Sequence, residues 1–267
     1  MIYKDYHIHS EFSGDSNQNI EELIEHCISI GLKEIAITDH SEYGIQDMPP
    51  AFILNYPKYY SKIQELQEKY RKKICLRYGV EVGMDVQVKE YFEKNINSYP
   101  FDFIIGSNHA IHSLDIASSN ITLGKTKQEL QELYFQTLLH NIQNYHDFCV
   151  LGHMDFITRY GGEKFRGLNL KENWDIIQTI LQHLIKYGKG IEINTSGFRY
   201  HEERFYPLPE IIKEYLRLGG EIITVGSDAH IKSHIAMDFQ RVEDFLRSIN
   251  YPYIASFEKR KAIIEKI

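Results

Sequence analysis

Short apolar segments with a preference for β-structure recur along the chain, and most are followed by a segment with the hydrophobic spacing of a helix. Residues 35–37 and 222–225 are apolar at nearly every position, as expected for strands that are covered on both faces of a sheet. Alternation of such strands with helices predicts a parallel sheet with helical crossovers. Seven strands are predicted, around residues 6–9, 34–39, 74–81, 101–107, 148–153, 190–195 and 221–227.

The predicted helices have start and stop signals of their own. The first begins after Asn19, which together with Glu22 has the pattern of a capping box, and it ends at about Ile30 before Gly31. The other helices are predicted at residues 57–73, 125–145, 169–186 and 207–218, with one more short helix from residue 257.

The order of these elements defines the expected fold class. Seven strands, most of them followed by helices, fit an α/β protein with a distorted (β/α)7 barrel of the TIM-barrel type, and an open doubly wound sheet is the alternative. No internal repeat, low-complexity tract or Gly/Ser linker divides residues 1–267, so a single domain is predicted. Polar or Gly-rich segments at 43–55, 112–125 and 159–170 follow strands, where the loops of a barrel build the active site.

Composition and charge narrow the possible partners and the compartment. A net charge of −7 argues against nucleic acid or an acidic membrane as a partner. No apolar run reaches membrane-spanning length and no signal-peptide pattern is present, so we expect a cytoplasmic protein. The three cysteines, Cys27, Cys75 and Cys149, are far apart. They are expected to be reduced core thiols rather than disulfides or a zinc cluster.

Nearly every predicted strand ends in a side chain that can bind a metal ion. The carboxyl ends of parallel strands in a barrel meet at one face, so these side chains should share a pocket. Each one alone has an ordinary structural explanation, such as a helix cap or a hydrogen-bonded core histidine. Together they predict a metal site. The candidates are His7, His9, Asp39, His40, Glu81, Asn108, His109, His153, Asp228 and His230.

The remaining histidines are a contrast to this set. Four of them lie within helical patterns and are expected outside the site, namely His26, His140, His146 and His183. Three others lie in loops and have no assigned role, namely His112, His201 and His234.

The motifs around the strand-end residues resemble those of the polymerase-and-histidinol-phosphatase (PHP) superfamily, and specifically its histidinol-phosphate phosphatases. They occur in the order expected for that family and extend from residue 7 to residue 230, which is nearly the whole chain. The motifs are His7-Ile8-His9-Ser10, Thr38-Asp39-His40, Gly79-Val80-Glu81-Val82-Gly83, Gly106-Ser107-Asn108-His109, Gly152-His153-Met154-Asp155 and Gly226-Ser227-Asp228-Ala229-His230.

The resemblance implies a site for three divalent metal ions, with zinc, manganese and iron all compatible with the ligand types. By similarity, His7, His9, Glu81 and Asp228 would hold the first ion, Glu81, His109 and His153 the second, and Asp15, His40 and His230 the third. Glu81 would then bridge the first two ions. Some relatives carry histidine at the position of Asp15.

The function implied by the resemblance is metal-dependent hydrolysis of the small phosphate monoester L-histidinol phosphate to L-histidinol and phosphate, in histidine biosynthesis. Arg159 and Arg199 follow the fifth and sixth predicted strands, where guanidinium groups could bind phosphate oxygens. With Glu81 and Asp228 they form the predicted catalytic set. A carboxylate such as Glu42 or Glu192 could meet a cationic amino group or could be structural.

Two other functions are compatible with the motifs. The first is another phosphoesterase of the same superfamily, such as a phosphodiesterase or an enzyme for a different small monoester. A nuclease should also carry a basic track with aromatic residues, and no such track is present. The second is an inactive, metal-binding regulatory domain, which predicts broken ligand motifs, whereas all the expected positions are occupied.

Overall fold

A computed structural model describes residues 1–200 and 202–267 of the chain. Within these residues it contains twelve strands and seven α-helices. The strands are β1 (Lys4–Ile8), β2 (Glu34–Ile37), β3 (His40–Ser41), β4 (Cys75–Gly83), β5 (Phe103–Ser107), β6 (Ala110–Ile111), β7 (Leu114–Asp115), β8 (Val150–Leu151), β9 (Gly190–Asn194), β10 (Ile223–Gly226), β11 (Tyr253–Glu258) and β12 (Lys261–Lys266). The helices are α1 (Ile20–Ser29), α2 (Tyr56–Tyr70), α3 (Lys89–Ser98), α4 (Lys127–Asn144), α5 (Leu170–Lys186), α6 (Pro209–Arg217) and α7 (Phe239–Ser248).

Seven parallel strands form a barrel in the order β1-β2-β4-β5-β8-β9-β10, with β3 pairing beside β4. The first and last strands close the barrel through a bridge between Ile8 and Ala229. At this seam His9 N donates to Ala229 O at 2.9 Å, and Ala229 N donates to His7 O at 3.3 Å. The predicted seven-stranded barrel is therefore confirmed over the open doubly wound sheet.

A buried carboxylate holds the closing seam together. Asp5 accepts hydrogen bonds from Ser227 N at 3.0 Å, Ser227 Oγ at 2.5 Å and Ala236 N at 2.9 Å. Burial raises the pKa of Asp5, while these hydrogen bonds favour the ionised form. The contacts fix the segment that carries Asp228 against β1.

Two helices in the structure are missing from the sequence prediction. Helix α3 buries only Phe92 and Ile96 fully, so its apolar pattern is weak. Helix α7 buries Phe239, Val242 and Leu246. Because these three positions have helical spacing, the helix could have been found from the sequence. Asn19 caps α1 as predicted, with its side chain accepting from the backbone of Glu21 and Glu22, whereas a reciprocal capping box is formed by Thr126 and Glu129 at the start of α4.

The prediction of a helix from residue 257 is wrong. The tail is an antiparallel hairpin of β11 and β12, turned by Lys259 and Arg260 with φ of 49° and 62°. Positive φ at both turn residues is the geometry of a tight two-residue hairpin. Phe257 N donates to Tyr6 Oη at 2.9 Å, and the Phe257 ring lies 5.1 Å from that of Phe103. The hairpin therefore packs against the amino end of the barrel, opposite the predicted site.

The three cysteines are free thiols, as predicted, and Cys27 and Cys149 are buried. Cys75 is exposed instead of buried, because it is the first residue of β4 and lies at the rim of the barrel. Within the described part of the chain, no helix combines the length and the apolar character needed to cross a membrane.

Candidate metal centre

Glu81, on β4, is the centre of a cluster of imidazoles at the carboxyl ends of the barrel strands. Its side chain is fully buried. Glu81 Oε1 lies 2.8 Å from His153 Nε2 and 3.3 Å from His109 Nε2. Glu81 Oε2 lies 3.1 Å from both His7 Nε2 and His40 Nδ1. One carboxylate thus faces histidines that follow or belong to four different strands of the barrel.

Asp228 approaches the same cluster from the loop after β10. Its Oδ1 lies 3.5 Å from His9 Nε2, 3.8 Å from His7 Nε2 and 3.6 Å from His230 Nδ1. The backbone of Asp228 has φ of 53°, in the left-handed region that few residues other than glycine adopt. The closing seam between β1 and β10 holds this conformation, so the carboxylate is directed at the histidines of β1.

The outer part of the cluster is formed by Asp15, His40 and His230. Asp15 Oδ2 lies 3.0 Å from His230 Nε2 and 3.5 Å from His40 Nε2. The ring of His9 lies between those of His40 and His230, with centroid distances of 4.3 Å and 4.1 Å. The structure therefore brings all nine predicted metal-ligand side chains together at one end of the barrel.

The cluster has the spacing of a metal site. A nitrogen and an oxygen bound to one tetrahedral ion at about 2.0–2.2 Å are separated by roughly 3.3–3.5 Å. Several nitrogen–oxygen pairs in the cluster lie 3.1–3.5 Å apart. Buried atoms without a well-formed hydrogen bond include His7 Nε2, His9 Nε2, His40 Nδ1, His230 Nε2 and Glu81 Oε2. Buried polar atoms of this kind are costly unless they have partners, and divalent cations would supply them.

Electrostatics in the cluster favour ionised carboxylates. Burial would raise the pKa of Glu81, but the charges of His7, His40 and His109 hold that pKa well below its usual value. Burial and repulsion by His230 and His40 lower the pKa of His9 to about 3. Burial opposes the charged form of His7, His40 and His109, but the nearby carboxylates raise the pKa values of all three. Metal ions bind anionic carboxylates and neutral imidazoles, so these three histidines would lose a proton when a metal ion binds.

A second layer of side chains orients the histidine rings. Glu192 Oε1 lies 2.6 Å from His7 Nδ1, Glu42 Oε1 lies 2.6 Å from His109 Nδ1, and Ser13 Oγ lies 3.0 Å from His9 Nδ1. Such partners fix the ring orientation and leave the opposite nitrogen free for a metal ion. Glu192 has partners on both oxygens, since its Oε2 accepts from His153 N at 2.9 Å, and it is therefore not free to meet a substrate amine. Glu42 Oε1 faces His109, whereas its Oε2 is buried without a partner, so the role of Glu42 towards an amine stays a prediction.

Two strand-end candidates do not contact the cluster through their side chains. Asp39 accepts from Ser10 N at 2.5 Å, Ser10 Oγ at 2.6 Å and Ser13 Oγ at 2.9 Å. Asn108 Oδ1 accepts from Asn141 Nδ2 at 2.8 Å. Both stabilise the loops that carry ligands, which explains why they are found at strand ends.

The histidines expected elsewhere lie away from the cluster. His26 and His140 belong to α1 and α4, and the rings of His146 and His183 pack against Tyr187. His112 is exposed, and His234 is half-buried with its pKa lowered by burial and by the nearby charges of Arg199 and His230. The prediction for His201 lies outside the described residues.

A cavity of about 370 Å³ opens onto Glu81. Arg159 lines it, and its guanidinium lies flat on the ring of Tyr200, with the Arg159 Cζ atom 3.3 Å from the ring centroid. Arg159 forms no ion pair with a carboxylate of residues 1–200 or 202–267, so its positive charge is available to an anion in the cavity.

Arg199 is placed differently. Its Nη2 donates to Ser227 O at 2.6 Å and to Asp228 O at 3.0 Å. Its Nε and Nη1 are buried without a partner. Arg199 therefore supports the backbone of the Asp228 loop, and the predicted contact of its guanidinium with phosphate stays a prediction.

A parallel barrel with a histidine- and carboxylate-rich cavity at the carboxyl ends of its strands defines a metal-dependent enzyme of the (β/α)-barrel class. The model of the PHP domain family matches residues 5–196. The chain belongs to the PHP family.

Full-length relatives agree with this family. A histidinol-phosphatase of Lactococcus lactis is 32% identical over 96% of this chain and 95% of its own length. A probable histidinol-phosphatase of Clostridium acetobutylicum is 32% identical over 97% of this chain and 98% of its own length. The crystal structure of the histidinol phosphate phosphatase from L. lactis, complexed with zinc, L-histidinol and phosphate, superimposes with a TM-score of 0.90 and covers 98% of both chains.

Proposed function

We propose that this chain is a metal-dependent phosphomonoesterase that hydrolyses L-histidinol phosphate to L-histidinol and phosphate, in histidine biosynthesis. Its similarity to the L. lactis enzyme extends over nearly the whole of both chains at 32% identity. The relative was crystallised with zinc, L-histidinol and phosphate. These are the metal and the two products that the proposed reaction would involve.

The observation that carries the proposal is the convergence of buried, unpartnered histidine nitrogens on Glu81 and Asp228. Three divalent ions would be held by this cluster, and Glu81 would contribute to the sites of two of them. The first is assigned to His7, His9, Glu81 and Asp228, the second to Glu81, His109 and His153, and the third to Asp15, His40 and His230.

Divalent ions held there would supply Lewis-acid chemistry to a phosphoryl group. The protein's own side chains have three further tasks. Glu192, Glu42 and Ser13 hold the histidine rings in the orientation that ligation requires. Arg159 binds the phosphoryl oxygens and stabilises the charge that they gain in the transition state. The barrel buries the Glu81 side chain at the bottom of the cavity, through which a substrate would reach it.

The proposal is tested by metal analysis of the purified protein and by phosphate release from a panel of monoesters and diesters. We expect bound divalent metal and a preference for L-histidinol phosphate above the other monoesters, with little release from diesters. A protein that carries no metal, or that prefers diesters, would contradict the proposal.

We also propose a cytoplasmic location. The three free cysteines and the absence of a paired disulfide among the described residues fit a reducing compartment. A biosynthetic substrate that carries a phosphate group also fits the interior of the cell.

A further inference from the structure

The cavity over the metal cluster continues into a second one. The outer cavity has a volume of about 450 Å³ and shares Met48 and Asp115 with the inner cavity. Two loops form the outer rim and are joined by a hydrogen bond from Gln46 N to Ser113 O at 2.7 Å. A substrate with its phosphate at the metal cluster that extends towards the outer cavity would pass Asp115.

The small β6–β7 hairpin holds Asp115 next to His109. Asp115 pairs with Ala110 in this hairpin, directly after the ligand His109. Ile116 N donates to His109 O at 3.0 Å, which closes the hairpin onto the backbone of the ligand. The position of the Asp115 carboxylate is thus tied to the cluster.

Asp115 differs from the other acids of the inner cavity. The other carboxylates lie within 3.5 Å of a histidine nitrogen of the cluster, namely those of Asp15, Glu42, Glu81 and Asp228. Asp115 forms no ion pair with a basic side chain in the described part of the chain, and it is half-buried. Its charge contributes to the raised pKa of the Tyr160 hydroxyl, whose largest cause is burial. A half-buried carboxylate that faces a substrate cavity without a cation is suited to bind one.

We propose that Asp115 is the specificity-determining residue that binds the ammonium group of the leaving alcohol. The inference rests on the proposed function, because L-histidinol phosphate carries an amino group two carbon atoms from the ester oxygen. The phosphate would be bound by the metal cluster and by Arg159. The negatively charged carboxylate of Asp115 would then bind the positively charged amine. Met48 and Ile116, which line the same cavity, provide apolar contact for the rest of the leaving group.

The test uses Asp115→Asn in the metal-loaded enzyme. Asp115 Oδ1 accepts a hydrogen bond from Ala117 N at 2.8 Å. An asparagine oxygen can keep that bond, so the substitution removes the charge with little change to the turn. The substrates are L-histidinol phosphate and the imidazolylpropyl phosphate that lacks its amino group.

We expect kcat/KM for L-histidinol phosphate to fall about tenfold to hundredfold, because the substitution removes one charge-assisted hydrogen bond. The loss on the amine-free ester should be several-fold smaller, so the ratio between the two substrates falls. Metal content should stay that of the wild type. The matched control is Asp47→Asn, on an exposed acid that lines only the outer cavity, and it should keep the wild-type ratio. An unchanged ratio in Asp115→Asn, or an equal drop in both variants, would overturn the assignment.

A second pair of substrates separates this inference from the proposed function. O-phosphoethanolamine and ethyl phosphate differ by an amino group at the same distance from the ester oxygen. If the wild type does not hydrolyse L-histidinol phosphate, the proposed function fails. The assignment of Asp115 then depends on whether the wild type favours O-phosphoethanolamine and Asp115→Asn removes that preference. Equal preference in both proteins would reject it.

Discussion

At the scale of single residues, the site is built around the carboxylate of Glu81, which faces five imidazoles. Glu81→Gln keeps the size of the side chain but removes the charge that two ions would share. Replacing groups that only orient metal ligands costs about 10–100-fold, so we expect the loss of a bridging ligand to lower kcat about a hundredfold or more. Metal content measured by mass spectrometry should fall as well.

The control for this substitution is Glu132→Gln, on an exposed glutamate of α4 that lies outside the cluster. It should keep full metal content and activity. Circular dichroism should show both variants folded. Full activity and a normal metal count in Glu81→Gln would reject Glu81 as a bridge.

The two arginines are expected to respond differently. Arg159→Ala should lower kcat/KM about tenfold to hundredfold for both L-histidinol phosphate and an aryl phosphate, because it removes a charged partner of the phosphoryl oxygens. It should also weaken inhibition by inorganic phosphate while metal content stays constant. Steady-state kinetics with inorganic phosphate as inhibitor measures kcat/KM and the strength of inhibition, and metal analysis measures the metal content.

Arg199→Ala serves as the comparison. Arg199 holds the carbonyls of Ser227 and Asp228, so its loss should also reduce metal content through the Asp228 loop. Unchanged phosphate inhibition in Arg159→Ala would remove Arg159 from the phosphate site.

Single residues also show how far the sequence predicts the site. The convergence of His7, Glu81 and His153, the proposed ligands, was predictable, because a strand end fixes where a side chain emerges. The side chains that orient these histidines were not predictable. Glu192 reaches His7 from a strand far along the chain, and which histidine nitrogen it contacts depends on side-chain packing across the barrel.

At the scale of elements, the C-terminal hairpin is tied to the amino end of the barrel by a charged network. Glu34 on β2 accepts from Tyr6 Oη and from Arg77 Nε, both at 2.6 Å, and its Oε2 lies 3.0 Å from Lys4 Nζ. Arg77 also donates to Glu258 of β11 at 3.1 Å. Burial opposes ionisation of Glu34, but these partners hold its pKa below the usual 4.5.

This lowered pKa predicts a pH-dependent contribution to stability. A carboxylate with a lowered pKa stabilises the folded state above its unfolded pKa, and the contribution is lost as the pH falls through the folded pKa. Glu34→Gln should therefore lower the free energy of unfolding by about 1–3 kcal/mol at pH 7. The difference from the wild type should shrink below about pH 4.5.

Urea unfolding of both proteins at several pH values measures this difference. The control is Glu68→Gln on the exposed face of α2, a matched loss of charge that should change stability little at any pH. A pH-independent difference for Glu34→Gln would show that shape rather than charge is responsible.

The same hairpin shows why the tail was predicted wrongly. Its strand β12 is exposed along its whole length, so it has no alternation of buried and exposed positions that would indicate a strand. The pairing depends on β11, whose residues Ile254 and Phe257 are buried beneath the barrel. Long-range contact, rather than local pattern, decides the structure of this segment. In α7, by contrast, the local sequence pattern carries the helical spacing by itself.

At the scale of the whole molecule, the proposed metal-binding residues join the beginning and the end of the barrel. His7 lies on β1 and His9 follows that strand, while Asp228 and His230 lie after β10. Glu81 lies between them in the sequence, on β4. Ions held by these groups would bind the folded state alone, since the unfolded chain does not bring the ligands together. Metal binding should therefore stabilise the closed barrel.

Removal of the metal tests this coupling. Binding at 1,000 times the dissociation constant contributes about 4 kcal/mol per site, and in a chain of this size each kcal/mol moves Tm by about 2–4 °C. We expect chelation followed by dialysis to lower Tm by about 10 °C or more, and zinc or manganese to restore it. Calorimetry with metal analysis on the same samples measures both quantities. The control is a variant with His7→Ala and His9→Ala, which should start with a lower Tm and respond less to the chelator. An unchanged Tm in wild-type protein shown to be free of metal would mean that the barrel closes without help from the cluster, through the seam at Asp5 and Ala229 alone.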